Sequence, residues 1–257
     1  MDKKVLNEMF ENLLHIGNKA NYWNPKMRSY IYGVTNGIHV FNLIKTVEEF
    51  EKLKAELVEL AKNGKKILFV ATKLQARDAF ANLAKETGNY YVTEKWVPGL
   101  LTNFKTIRKR IATYIKLLAD AENGALDILP KKEKAAKLHE LEKLDKAFKG
   151  LKEMKRLPDA VFIVDGAFEK QAVKEANSLK IPAYAVLNTN GDPDLVKAFI
   201  PANTNSVKSL TYIAEELKKV LTAVKPAKKT TVRKIATKKT TVKKTTAKKT
   251  TAKKEEK

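Results

Sequence analysis

The sequence predicts an α/β fold with a parallel sheet of about five strands, and three observations predict it. Ala160–Val164 and Ala183–Leu187 are continuous apolar runs, the pattern of strands covered on both faces. Between them Phe168, Ala172, Val173, Ala176 and Leu179 recur at helical spacing, with Asp165-Gly166 and Ile181-Pro182 as punctuation. A strand–helix–strand unit of this kind has a right-handed crossover and parallel strands. Ile67–Ala71 and Tyr90–Val92 add further short apolar runs, so helices are expected on both sides of one sheet.

The other elements follow in chain order. Asp2 to Leu14 carries Val5, Leu6, Met9, Phe10, Leu13 and Leu14 at the spacing of a short amphipathic helix. Asn18 to Tyr32 mixes aromatics with cations around Pro25 and is expected to be irregular, and Gly33 to Gly37 reads as a turn. Ile38 to Leu43 is expected to be the first strand of the sheet. Thr46-Val47-Glu48-Glu49 has the form of a capping box, opening a helix with Val47, Phe50, Leu53, Leu57, Leu60 and Ala61 inward and Asn63-Gly64 at its end. A further helix is expected over Leu74 to Lys85, stopping at Thr87-Gly88.

The spacing then changes. Ile107, Ile111, Tyr114 and Leu118 are four, three and four apart, and Leu141, Leu144, Phe148 and Leu151 three, four and three. These are heptad intervals, interrupted at Gly124 and Pro130, and predict an antiparallel coiled-coil hairpin inserted into the sheet domain. The narrow apolar stripe predicts an arm that stands off the core. After the central unit, Phe199-Ile200-Pro201 reads as an edge strand. Asn205-Ser206 reads as the cap of a last helix with Val207, Leu210, Ile213, Leu217, Val220 and Leu221 inward. Four segments result: 1–104, 105–156 (the hairpin), 157–224 and 225–257.

The last segment differs in kind. Thr230 to Lys254 is five tandem pentads, TTVRK, IATKK, TTVKK, TTAKK and TTAKK, whose period suits neither helix nor strand. Such a composition predicts a disordered phosphate-binding strap. Its candidate contacts are Lys228, Lys229, Arg233, Lys234, Lys238, Lys239, Lys243, Lys244, Lys248 and Lys249.

Charge narrows the function. The chain of 257 residues carries 51 Lys and Arg against 29 Asp and Glu, a net +22. Residues 225–257 hold 14 of the cations and 2 of the acids, which leaves +10 on residues 1–224. The folded part is therefore basic without its tail, and a polyanionic partner is expected. Cysteine is absent, so disulfides, thiolate metal sites and cysteine nucleophiles are excluded. His15, His39 and His139 lack metal-ligand spacing. No apolar run reaches membrane-span length and no signal peptide opens the chain, so a cytoplasmic location is expected.

Candidate RNA contacts come from cations interleaved with aromatics, because rings stack on unpaired bases while cations neutralise phosphates. They are Lys19, Tyr22, Trp23, Asn24, Lys26 and Arg28 in the N-terminal loop, Trp96 and Asn103 before the hairpin, and Lys105, Arg108, Lys109 and Arg110 at its base. The aromatics serve equally well to pin that loop to the core. For catalysis, neither a P-loop nor G-x-G-x-x-G occurs. The carboxyl ends of the strands could gather Asp165, Glu169, Asn188 and Asp192 around Mg²⁺ or as an acid–base pair, but turn and cap roles suit them at least as well.

A series of short motifs resembles one family. Tyr22-Trp23-Asn24-Pro25-Lys26-Met27, Asn36-Gly37-Ile38-His39, Asn42-Leu43-Ile44-Lys45-Thr46, Lys65–Val70, Trp96-Val97-Pro98-Gly99, Leu101–Arg108 and Lys143-Leu144 resemble the bacterial small-subunit ribosomal protein S-two family. So do Leu157-Pro158-Asp159-Ala160, Ala172–Asn177, Ile181-Pro182, Thr189-Asn190, Asp192-Pro193-Asp194 and Ile200-Pro201, in the same order over roughly residues 5–221. The resemblance implies a flavodoxin-like sheet domain with an inserted coiled-coil hairpin. It implies 16S ribosomal RNA as partner, between head and body of the small subunit. It also implies help in docking neighbouring small-subunit proteins, ribosomal protein S-one among them. It implies no catalysis, no cofactor and no small-molecule substrate. The family commonly has His-Phe-Gly-His where this chain has His15-Ile16-Gly17-Asn18. It commonly has Asp-Ala-Asp-His-Glu where this chain has Asp165–Glu169, and an aspartate where Asn188 stands. Two other functions compete: a nucleoid-type DNA-binding protein acting through the tail, and a small-molecule α/β enzyme using Asp165 and Asp192.

Overall fold

A computed structural model describes residues 3–224; the pentad tail lies outside the described residues. The chain runs α1 (Lys3–Glu11), β1 (Ile16–Lys19), β2 (Ile31–Thr35), β3 (Ile38–Phe41), α2 (Leu43–Lys62), β4 (Ile67–Val70), α3 (Arg77–Glu86) and β5 (Tyr90–Val92). It continues through α4 (Phe104–Glu122), α5 (Lys131–Phe148), β6 (Ala160–Val164), α6 (Lys170–Ser178), β7 (Ala183–Leu187), β8 (Ala198–Pro201) and α7 (Val207–Ala223).

The parallel sheet has the order β5-β4-β6-β7-β8, five strands as expected. Register places Ile67 beside Ala160, Val161 beside Ala183, and Leu187 beside Pro201 on the edge strand, where the missing N–H of proline is tolerated. Alternate residues of each strand sort into two cores. Phe69, Phe162, Val164 and Val186 pack under α2, α3 and α7; Leu68, Val70, Val161, Ile163 and Ala185 pack under α4 and α6. In the first core Phe69, Phe80 and Phe162 form a ring cluster with centroids 5.6–6.3 Å apart. The β4–α3–β5 and β6–α6–β7 crossovers run in opposite directions along the sheet. One handedness for both requires helices on opposite faces, as observed.

The N-terminal region departs from the sequence expectation. Ile38–Phe41 is no strand of the parallel sheet; it is the centre of a separate antiparallel sheet of order β1-β3-β2. Its burial alternates where the inner parallel strands β4, β6 and β7 are buried throughout. The segment expected to be irregular is free of strand and α-helix over residues 20–30, while its two ends belong to β1 and β2. The turn narrows to Asn36-Gly37, φ 51° and 74°, a two-residue hairpin connection that needs two left-handed residues. Thr46 caps nothing: Asn42 is the N-cap of α2, accepting from the Ile44 N–H at 3.1 Å. Thr46 lies inside the helix, and its hydroxyl donates to the Pro201 carbonyl at 2.8 Å. The α3 helix begins at Arg77, leaving Leu74 74% exposed. Phe168 and Val207 point outward, and Leu179 is partly exposed beyond α6.

The two long helices α4 and α5 pack on each other around Ile107, Ile111, Tyr114 and Leu117, with Leu118, Leu141 and Leu144 half-buried. Their base does not stand off the core. Ile107, Ile111, Tyr114 and Phe148 join the second core cluster with Val92 and Val161.

One buried carboxylate fixes where α4 begins. Glu175, on α6 and 3% exposed, accepts from the Trp96 indole at 3.1 Å and the Gly99 N–H at 2.8 Å. It also accepts from the Leu101 and Thr102 N–H groups at 3.0 and 3.3 Å. Burial alone would raise its pKa, but these four donors outweigh burial and hold it below the usual carboxylate range. Trp96, expected at an RNA surface, is therefore a core residue, 5% exposed with its N–H in use. Next to α5, Gly150 packs so tightly on the β5 edge that a Cβ there would overlap the Tyr91 carbonyl oxygen.

Glu175→Ala leaves three backbone N–H groups without an acceptor and lowers unfolding free energy by about 3 kcal/mol in denaturant titration. Because the folded-state pKa of Glu175 is depressed, its contribution is complete above the unfolded carboxylate pKa. It disappears as pH falls through the lower folded value, so the wild-type minus Glu175→Gln stability difference shrinks in acid. Gly150→Ala forces β5 and the 149–151 turn apart and costs about 2 kcal/mol, read as a lower thermal midpoint.

Candidate nucleic-acid interface

The carboxyl ends of β4, β6 and β7 are where an α/β sheet of this order receives a ligand. Here the chain fills the position itself. Lys73, just after β4, sends its ammonium to Asp165 Oδ2 at 2.5 Å, Asn205 Oδ1 at 2.7 Å, and Thr204 Oγ1 and O at 3.2 and 3.3 Å. The Thr204 hydroxyl donates to the same Asp165 oxygen at 2.9 Å and accepts from the Asn188 amide at 3.2 Å. The other Asp165 oxygen accepts from the Ala167 and Phe168 N–H groups, which stabilises the left-handed backbone of Asp165 at φ 66°. Glu169 accepts from the Thr72 hydroxyl; burial, aided by Asp165, pushes its pKa up.

Asp165, Glu169 and Asn188 do meet, as the sequence allowed, but every one is committed to a neighbour. Asp192 is not among them. Among the described residues no group of three or more His, Asp or Glu is placed to hold a metal ion. Lys73, Thr204 and Asn205 complete this network; sequence reasoning named Asn205 only as a cap and did not single out the other two. The signal available was their place in the loops that follow β4 and β8.

Asp192 belongs instead to the N-terminal loop. Lys26 Nζ lies 3.0 Å from both Asp192 oxygens and 2.6 Å from Asp194 Oδ2. The hydrogen bonds to Asp194 and then Asp192 raise its pKa. Asn24 accepts from the Lys26 N–H and donates its own N–H to the Thr189 carbonyl at 2.8 Å. The Asn18 N–H donates to the Thr189 hydroxyl, and its amide donates to Asn190. These bonds join β1 and the loop after it to the loop after β7. Within that frame Tyr22 is 63% and Trp23 37% exposed, the indole leaning on the His39 ring at 5.4 Å. Lys19 and Arg28 are exposed and make no ion pair among the described residues.

The third group lies on α4. Helical periodicity puts Lys105, Lys109 and Lys116 opposite the buried Ile107–Ile111–Tyr114 stripe, with Arg108 and Arg110 on its flanks. All five are exposed and none forms an ion pair among the described residues, whereas Lys146 and Lys149 on and beside α5 pair with Glu142 and Asp145. Asn103, at the N-cap position, is exposed and makes no side-chain cap bond. The structure thus brings Lys19, Tyr22, Trp23, Asn24, Lys26 and Arg28 into one loop region and Asn103, Lys105, Arg108, Lys109 and Arg110 onto one helix. It removes Trp96 from both. Lys116 is the cation that sequence reasoning missed, two turns beyond the cluster on the first turns of α4.

Comparison with known proteins places this fold. The family model described as ribosomal protein S2 matches residues 9–224. The small ribosomal subunit protein uS2 of Mannheimia succiniciproducens is 40% identical over 210 residues, covering 82% of this chain and 87% of that protein. Its namesake from Pasteurella multocida is 42% identical over 210 residues, covering 82% and 88%. A match of this extent shows that the chain belongs to the ribosomal protein S2 family.

Proposed function

We propose that the chain, a structural constituent of the small ribosomal subunit in the cytoplasm and not an enzyme, is held in place there by 16S ribosomal RNA. The observation that carries the RNA contact is the set of exposed cations on α4, Lys105, Arg108, Lys109, Arg110 and Lys116, without ion-pair partners among the described residues. Cations left without acidic partners on a body of charge +10 are what a phosphate backbone requires. Folded RNA offers shape and phosphate rather than readable base edges, so these contacts position more than they specify. No helix of the described residues is long and apolar enough to cross a membrane.

Further features belong to the same reading. The α4–α5 pair acts as a coiled-coil hairpin reaching a neighbouring RNA or protein surface, residues 105–156 forming a unit between 1–104 and 157–224. The 225–257 tail adds a sequence-blind phosphate strap. A neighbouring small-subunit protein, ribosomal protein S-one among the candidates, docks against the assembled body.

Sedimentation tests the core of the proposal. The full chain co-sediments with small subunits through a high-salt wash, and its recovery with free cytosolic protein at low salt would overturn the assignment. An Arg108→Ala, Lys109→Ala, Arg110→Ala variant binds 16S RNA more weakly. Its log affinity falls less steeply with log salt, by about 0.7–0.9 for each phosphate that is no longer neutralised. Deleting 225–257 leaves incorporation intact; if nearly all affinity goes with the tail, the nucleoid-type reading replaces this one.

A further inference from the structure

The loop that bears Tyr22 and Trp23 holds one of its cations in a clamp at the surface. Lys26 meets two carboxylates, one of them through both oxygens, and both belong to the loop that follows β7. An ammonium with three carboxylate oxygens within 3.0 Å has an acceptor for each of its N–H donors, although the side chain is about half exposed. The residues around Lys26 serve the same purpose. Asn24 turns the chain, accepting from the Lys26 N–H at 3.1 Å and donating to Thr189. The Tyr22 N–H donates to the Lys19 carbonyl at 2.9 Å. Trp23 rests on His39, whose ring nitrogen meets the Ala20 carbonyl at 3.2 Å.

The result is a fixed short loop whose two aromatic side chains stay open to solvent. Large rings normally seek burial, and Tyr22 and Trp23 depart from that. Tyr32, 82% exposed on β2, and the cations Lys19 and Arg28 lie in the same N-terminal region. Open rings with free cations nearby are complementary to a base with its phosphate. A rigid ring also loses little entropy on stacking.

We propose that Lys26 is a positioning residue and not a phosphate ligand: with Asp192 and Asp194 it holds Tyr22 and Trp23 ready to stack on an unpaired nucleobase of the RNA. This rests on the RNA-binding reading above. Lys19 and Arg28 take the phosphates on either side. The two acids are part of the binding surface although their charge is the wrong sign for RNA.

Binding of the full-length protein to 16S ribosomal RNA over a series of salt concentrations tests it, with Trp fluorescence recorded and unfolding midpoints checked for each variant. Lys26→Met lowers affinity several-fold with an unchanged salt slope, while Arg28→Ala reduces the slope by about 0.7–0.9. Asp192→Asn with Asp194→Asn weakens binding as Lys26→Met does, adding Lys26→Met to it changes nothing more, and Lys26→Arg restores binding. Trp23→Ala weakens binding and removes the fluorescence quenching that RNA produces. The proposal is overturned if Lys26→Met lowers the slope as Arg28→Ala does, or if removing the two acids tightens binding. It is also overturned if RNA leaves the emission of Trp23, isolated by a Trp96→Phe background, unaltered. Wild-type protein that fails to bind the RNA would instead bring down the parent reading.

Discussion

A single carboxylate decides how the two halves of this molecule meet. Glu175 sits on the inner face of α6 and gathers the indole of Trp96 with three N–H groups of the loop before α4. The chain between β5 and α4 has no strand or helix of its own to satisfy those donors. In an apolar core an unmet N–H is costly, so the loop can be buried only because an acceptor is supplied from elsewhere. With the loop seated, α4 leaves the sheet at a fixed place, and its apolar stripe reaches the second core while its cations face solvent. The position of the cationic surface is thus set by an anion on a different helix.

Charge in this protein is sorted by task. Part-buried Lys73 and half-exposed Lys26 are each met by carboxylates from a sequence-distant loop and act as cross-links between loops. Such pairs are geometric constraints first, since desolvation at Lys73 and solvent screening at Lys26 offset much of their attraction. The α4 cations have no such partners among the described residues and keep their full field for an external anion. Counting lysines gives the net charge but not this division. It follows from where the acids fall, in the loops after β6 and β7 and not on the first three turns of α4.

The parallel sheet was legible because its strands are buried on both faces, which leaves apolar runs that little else produces. Ala160–Val164 and Ala183–Leu187 are of this kind. The antiparallel sheet was not, since its strands are short, partly exposed and carry Lys19, Tyr32 and His39; Ile38–Leu43 reads as a strand, but nothing in it tells which sheet it joins. Thr46 matches a cap by local pattern, yet Asn42, one turn earlier and with no tertiary acceptor competing for it, takes that role. The stripe on α4 suggests an arm because heptad spacing reports one apolar face, not what covers it. The same limit hides Lys26: a cation between aromatics looks the same in sequence whether its acid is absent or 166 residues away. Trp96 misleads for a related reason, its partner Glu175 lying 79 residues on.

The ammonium of Lys73 occupies the crevice that related architectures reserve for a diffusible molecule. A tethered group competes there at a fixed effective concentration that does not vary with the surrounding solution. A solute entering there would have to break the bonds to Asp165, Thr204 and Asn205 before it found room.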